Sequence, residues 1–270
     1  MIRRQRPHAC RQRFRSICVV ADRQARLGQQ RLESAARPVV HGIDSQTVVK
    51  ELTVGLTGLM LVLFVGAHLA RNILIYAGPA SYNAYAAKLH AMGPLLWFMR
   101  LGLLAAFMTH ITTAINLAIV NRQARVNRYA VNTYLGRKTV ATRTMLASGI
   151  IIFLFILFHI YDFALSDKTG PASIVPGANN GQSLGLFGVV WNAFRDPVRV
   201  LFYVTAACAV GFHLSHAVAS VWVTVGILRD EDTPVADLVA RILGVAVAAG
   251  FSSIPIYVFL QIHFFGGGPT

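Results

Sequence analysis

Residues 51–76 read ELTVGLTGLMLVLFVGAHLARNILIY, and the fold turns on that stretch. Between Glu51 and Arg71 its one ionisable side chain is His68. A helix rises 1.5 Å per residue, so ~20 apolar residues cross the ~30 Å hydrocarbon layer of a bilayer, and this run is long enough. Four further runs share its character, at 94–120, 140–165, 197–228 and 236–264. Pro94 and Pro197 open two of them, where a missing N–H costs nothing. Arg229 with Asp230, Glu231 and Asp232 closes the fourth run, and Gly266, Gly267, Gly268 and Pro269 close the fifth. No strand-like alternation separates them. The expected fold is an all-α integral membrane protein whose five transmembrane helices form a bundle.

Composition points the same way. Hydrophobic residues make up 55% of the 270 and charged residues 13%, half the roughly 25% of an ordinary globular domain. So few charges cannot coat a soluble protein of this size. The excess of 25 Lys and Arg over 11 Asp and Glu would suit a nucleic-acid binder if it were spread over a folded surface. Instead ten arginines lie in residues 1–37, ahead of the first apolar run, and no nucleic-acid partner is expected. That head has no apolar core of a signal peptide, and its Arg-rich, acid-poor composition resembles an organellar transit peptide. The preferred reading of residues 1–45 is a basic arm, disordered or non-native, set before a membrane domain at 46–270.

Three cysteines, Cys10, Cys18 and Cys208, fit no disulfide framework or CxxC metal spacing. They exclude a four-cysteine iron–sulfur cluster held by this chain alone. Cys208, inside an apolar run, is expected to be a small buried packing residue.

Basic flanks set the orientation. Without the head, one side carries Arg122, Arg125, Arg128, Arg137, Lys138, Arg143, Arg229 and Arg241. The other carries only Lys88, Lys168 and Arg195. The N-terminus is expected inside and the C-terminus outside. On the outer side, residues 77–93 place Tyr82, Tyr85 and Leu89 at helical spacing, which suits a short interfacial helix. Residues 166–196 read as a Gly/Pro/Asn-rich loop, with Trp191 and Phe194 suited to an interfacial belt.

Four of the nine histidines stand one per helix: His68, His110, His159 and His213. An ionisable group inside a spanning helix is costly and tends to be functional, although a single such histidine more often only bonds a neighbouring helix. Each lies 16 to 19 residues past the point where its run begins, about 24–28 Å along the axis. Because successive helices run in opposite directions, equal travel gives two depths. His68 and His159 fall toward the outer face, His110 and His213 toward the inner. Two imidazoles at one depth in a bundle suit a low-spin haem, ligated from both faces, and two such pairs would make an electron path across the membrane. His216 shares a helix face with His213, which makes it a partner for a haem propionate or an alternative ligand. Arg143 is a propionate partner or a snorkelling interfacial arginine.

Five blocks of sequence resemble, in order, the cytochrome b membrane anchor of succinate dehydrogenase/fumarate reductase, in its single-subunit, five-helix, dihaem form. They are His68-Leu69-Ala70-Arg71-Asn72; Gly78-Pro79 with Tyr82-Asn83-Ala84-Tyr85; Gly93-Pro94-Leu95-Leu96-Trp97 leading to His110; Arg143-Thr144 with Gly149 and Phe158-His159; and Phe212-His213-Leu214-Ser215-His216. The likeness covers about residues 50–245. It implies two b haems, a distal one on His68 and His159 and a proximal one on His110 and His213. It implies a flavoprotein and an iron–sulfur protein as partners on the inner face, membrane lipid around the helices, and menaquinone or ubiquinone as substrate. The implied location is the bacterial cytoplasmic membrane. Arg71 departs from the pattern, standing where relatives often have a small residue. Arg71, Asn72, Asn83 and His90, at the outer end, are the expected quinone-binding groups, or else polar groups that satisfy helix ends. A bc-type cytochrome b, with two histidines on each of two helices, fits the spacing less well. A haem-free anchor or transporter is the rival that predicts a colourless protein.

Overall fold

The computed structural model describes residues 45–123, 140–224 and 233–266. The described chain is almost entirely helical, with five stretches long and apolar enough to cross a membrane. The chain is thus an all-α, multi-pass membrane protein by length and composition. We number its helices α1 (Ser45–Asn72), α2 (Gly78–Ala91), α3 (Pro94–Gln123), α4 (Val140–His159), α5 (Gly185–Ala193), α6 (Pro197–Thr224) and α7 (Thr233–His263). Helices α1, α3, α4, α6 and α7 are the spanning ones.

The helices outrun the apolar stretches that announce them. α1 begins at Ser45, several residues before Glu51, because a helix continues into the polar flank where its backbone bonds are already made. At its far end it tightens into a 3₁₀ turn, Ile73–Ala77. Gly78 then turns the chain at φ 85°, a conformation that favours glycine, and Pro79 sits in the first turn of α2. α2 is the short helix expected between the first two spans, and Gly93 (φ 55°) passes the chain on to α3. α4 ends in a single π turn, Ile160–Ala164, closed by the Leu165 N–H donating to the Ile160 carbonyl at 3.0 Å.

The long connection after α4 departs from its reading as a loop. It holds α5, and Trp191 (3% exposed) and Phe194 (3%) are buried rather than presented to a membrane interface. They join Ile75, Tyr82, Phe187 and Tyr203 in one apolar cluster at the end of the bundle that carries α2 and α5, here called the capped end. Packing decides this: Phe187 stacks on Trp191 at 5.3 Å, and Tyr82 meets Phe187 edge to face at 5.9 Å. A Cβ on Gly188 would collide with the Ser173 carbonyl, so only glycine lets α5 lie so close to the preceding turn. Tyr85, unlike Tyr82, is exposed.

Among the spanning helices the closest pair is α6 with α7. Gly211 and Gly244 face each other there, and a Cβ on either would strike the other's carbonyl oxygen. Small residues let two membrane helices approach backbone to backbone, where van der Waals packing replaces the missing hydrophobic drive. α1 packs on α3, α6 and α7, and α4 packs on α6. Neither α1 with α4 nor α3 with α6 is among the closely packed pairs of the described residues. Cys208 is exposed on α6, not buried, since it falls on the face turned away from the small-residue contacts Ala206 and Ala207.

Candidate functional site

The four helix-borne histidines fall into two pairs, one on α1 and α4 and one on α3 and α6. His68 on α1 and His159 on α4 have ring centroids 5.7 Å apart, with their planes at 84°. Aromatic rings wall this near pair, close to the capped end. Phe64 stacks on His68 at 5.4 Å and Phe251 lies at 5.9 Å. Phe155, Phe163 and Tyr203 stand 5.4–6.1 Å from His159. The Nδ1 atom of His159 is buried with no hydrogen-bond partner among the described residues. Leaving such an atom unmet costs about 1–3 kcal/mol, so it marks a place built to meet something.

His110 on α3 and His213 on α6 form the far pair, within electrostatic range of each other. Their environment differs. His110 Nδ1 lies 3.3 Å from the Val54 carbonyl and 3.3 Å from Thr57 Oγ1, both on α1. His213 Nδ1 lies 2.9 Å from Ser148 Oγ on α4. When Nδ1 carries the proton toward such an acceptor, Nε2 keeps a lone pair for a metal. This is the usual way ligand imidazoles are oriented. Gly58 and Gly149 sit against these rings: a Cβ would come 3.2 Å from His110 Cε1 and 3.7 Å from His213 Cε1. Sequence gave no sign of Thr57 or Ser148, ordinary hydroxyls of spanning helices whose partners lie 53 and 65 residues away.

Each pair offers two imidazole donors. Among the described residues no group of three or more His, Cys, Asp or Glu is placed to hold a metal. A zinc-type ion wants three or four protein donors, whereas haem iron brings its macrocycle and asks for axial ligands alone. His68 with His159, and His110 with His213, are the residues that would hold such a group.

The groups expected to bind quinone fall into two clusters. Arg71 Nη1 donates to Asn72 Oδ1 (3.1 Å) and to Tyr82 Oη (2.8 Å), and its guanidinium lies 4.2 Å over the Tyr82 ring. Asn72 Nδ2 donates to the His68 carbonyl at 2.7 Å, tying this cluster to the near pair. Asn83 instead clamps the cap, donating to the Leu184 carbonyl at 2.8 Å and accepting the Phe187 N–H at 3.2 Å. With His90, Pro79, Lys168, Ser183 and Leu186 it lines a groove of about 510 Å³. Beside the groove, the Thr169 backbone N–H and hydroxyl hold the Asp167 carboxyl below its ordinary range, and Lys168 adds to this. His216, one turn from His213, places Nε2 3.2 Å from Ser220 Oγ on its own helix. The side chain of Arg143 lies outside the described residues, as do the 124–139 connection and the head.

Asp162, which the sequence alone does not associate with a histidine pair, belongs to a charged cluster at the π turn beside His159. Asp162 is buried, accepts from Tyr203 Oη at 2.9 Å and lies 3.3 Å from Arg199 Nη1. Comparison of the chain with protein-family models, with curated proteins and with solved structures returns no match.

Proposed function

We propose that this chain is the cytochrome b membrane anchor of a succinate dehydrogenase or fumarate reductase, passing electrons between the iron–sulfur clusters of a partner subunit and membrane quinone. The observation that carries this reading is the approach of the His68 and His159 rings to 5.7 Å from two helices that are not closely packed, with His110 and His213 on a second such pair of helices. His68 with His159 would hold one b haem, and His110 with His213 the other. Haem held by these residues would supply one-electron transfer at a potential tuned by the imidazoles and the apolar surroundings.

The chain's own residues do the rest. Thr57, Val54 and Ser148 fix the orientation of the far imidazoles. The aromatic wall excludes water from the near pair, which raises the strength of every charge interaction there. Arg71 keeps guanidinium donors beyond those spent on Asn72 and Tyr82, and these suit a propionate or a quinone oxygen. Asn72 holds that arginine in place, while His90 at the groove is exposed and suited to exchange protons with water. Quinone chemistry needs both kinds of group, since two protons accompany two electrons.

In this reading the N-terminus lies inside a bacterial cytoplasmic membrane and the capped end lies outside. The flavoprotein and iron–sulfur subunits dock on the inner face, with the basic 121–143 connection beneath them. Five apolar spans are what such an anchor requires.

The test is optical. The purified chain, or the complex that contains it, should give a reduced-minus-oxidised b-type spectrum with two haems per chain. His110→Ala and His213→Ala should each remove one spectral component, and His68→Ala and His159→Ala the other. A colourless protein that is nevertheless folded would overturn the assignment.

A further inference from the structure

One buried charge cluster takes no part in the ligation just described. Asp162 lies in the π turn that ends α4, one turn beyond His159, at a kind of irregularity that recurs at functional positions. Both its oxygens accept: Oδ2 from the Tyr203 hydroxyl at 2.9 Å, and Oδ1 faces Arg199 Nη1 at 3.3 Å. Tyr203 is also a wall of the near pair, its ring 6.1 Å from that of His159. Asp162 and His159 interact electrostatically, and Arg71 acts on both His68 and His159 from the α1 side. At the far pair the imidazoles of His110 and His213 are held by hydroxyls and a carbonyl, and the carboxylate on that side, Asp237, acts on His216, one turn away from His213.

An ion pair would ordinarily cancel at a distance, but this one is lopsided. The Asp162 side chain is 3% exposed and that of Arg199 39%. The buried partner acts through a low effective dielectric, and the exposed one is screened by water and salt. The net field at the near imidazoles is therefore negative on this side, and a negative field favours the more positive, oxidised state of a bound metal centre.

We propose that Asp162, fixed by Arg199 and Tyr203, is a positioning residue that lowers the reduction potential of the haem held by His68 and His159 and leaves that of the His110/His213 haem unchanged. The proposal rests on the haem reading above. Tyr203 holds the carboxylate at a set distance from His159, and Arg71 opposes it from the other side. The potential of the near centre is then a balance between one carboxylate and one guanidinium.

Redox titration of the purified complex, followed optically with the two haem components resolved, tests this. Asp162→Asn keeps an acceptor for Tyr203 and removes the charge. It should raise the near-pair potential by about a tenfold change in the equilibrium between reduced and oxidised forms, which is about 59 mV for one electron. Arg199→Gln, which removes the screened cation and leaves the carboxylate, should move the same component the opposite way by less. The far-pair component should stay in place in both and serves as the internal standard. Shifts of the same sign in the two variants, or no shift in either, would refute the role of Asp162 while leaving the haem assignment standing. A wild-type protein without haem would remove the assignment itself.

Discussion

The α6–α7 seam and the quartet of α1, α3, α4 and α6 are built from equally apolar sequence, yet they pack in opposite ways. In an 18-residue apolar window of α6 and of α7, 28% and 33% of the residues are buried within the chain; in those of α1, α3 and α4 the shares are 11%, 6% and 6%. The seam brings backbones together at Gly211 and Gly244 and leaves no space. The quartet keeps its diagonals wide and sets an imidazole on each of the four facing helices. Close backbone packing is concentrated at the seam, and the four imidazoles stand in the quartet, where less of each span is buried within the chain.

The largest expected effect falls on the seam. Gly244→Val would drive a branched side chain into the Gly211 carbonyl and the Ser215 Cβ, which a Cβ alone would approach to 3.0 Å. Backbone atoms cannot step aside as a side-chain end can. The cost should reach or exceed the upper end of the ~1–3 kcal/mol typical of overpacking. Thermal unfolding of the detergent-solubilised protein should show it as a large fall in Tm or loss of folded material. Gly66→Ala on α1 and Gly102→Ala on α3 are the controls, because nothing lies within 4 Å of a Cβ at either. If Gly244→Val unfolds at the same temperature as these two, the contrast between seam and quartet is wrong.

That contrast was only half legible in the sequence. The five runs showed because crossing a bilayer demands length and apolarity, and both can be read residue by residue. The pairing of His68 with His159 was within reach because depth along a helix is arithmetic. What sequence could not supply was lateral proximity. Ser148 meets His213 and Thr57 meets His110 only because of how the helices are rotated, and no periodicity encodes rotation when nearly every face is apolar. The same blindness left Trp191 and Phe194 on the interface, when the cap in fact buries them, and put Cys208 inside when it faces outward. The charge of Asp162 is plain in the sequence, but its partners Tyr203 and Arg199 come from another helix and become visible only in three dimensions.

The next effect in size concerns the asymmetry between the two imidazole pairs. Ser148→Ala removes the hydroxyl at 2.9 Å from His213 Nδ1 and leaves that ring free to turn. Groups that orient metal-bound histidines typically govern 10–100-fold in affinity. Haem should therefore leave the His110/His213 site faster by about that factor in a competition with an apo-haem acceptor, while the near-pair component holds its rate. Thr57→Val should do less. It removes one of two contacts at 3.3 Å and leaves the Val54 carbonyl in place for His110. Equal haem loss in the two variants would show that the hydroxyls do not set the order.

The smallest expected effect sets the two glycines of the far pair against each other. At Gly149 a methyl group would sit 3.7 Å from His213 Cε1, an ordinary van der Waals contact; at Gly58 it would sit 3.2 Å from His110 Cε1, close enough that the imidazole must give by a few tenths of an ångström. Both positions lie in helix interiors, where Ala is favoured over Gly by roughly 0.5–1 kcal/mol. If protein alone surrounds these rings, Gly149→Ala should therefore raise Tm slightly and Gly58→Ala should gain nothing. A macrocycle pressed against the same helix faces would reverse the outcome for Gly149, because the added methyl would then occupy cofactor space. The spectral component of the far pair would shift, and haem content would fall without loss of fold. The pair of alanines thus reads from the protein side whether the wide diagonal is space left open or space reserved.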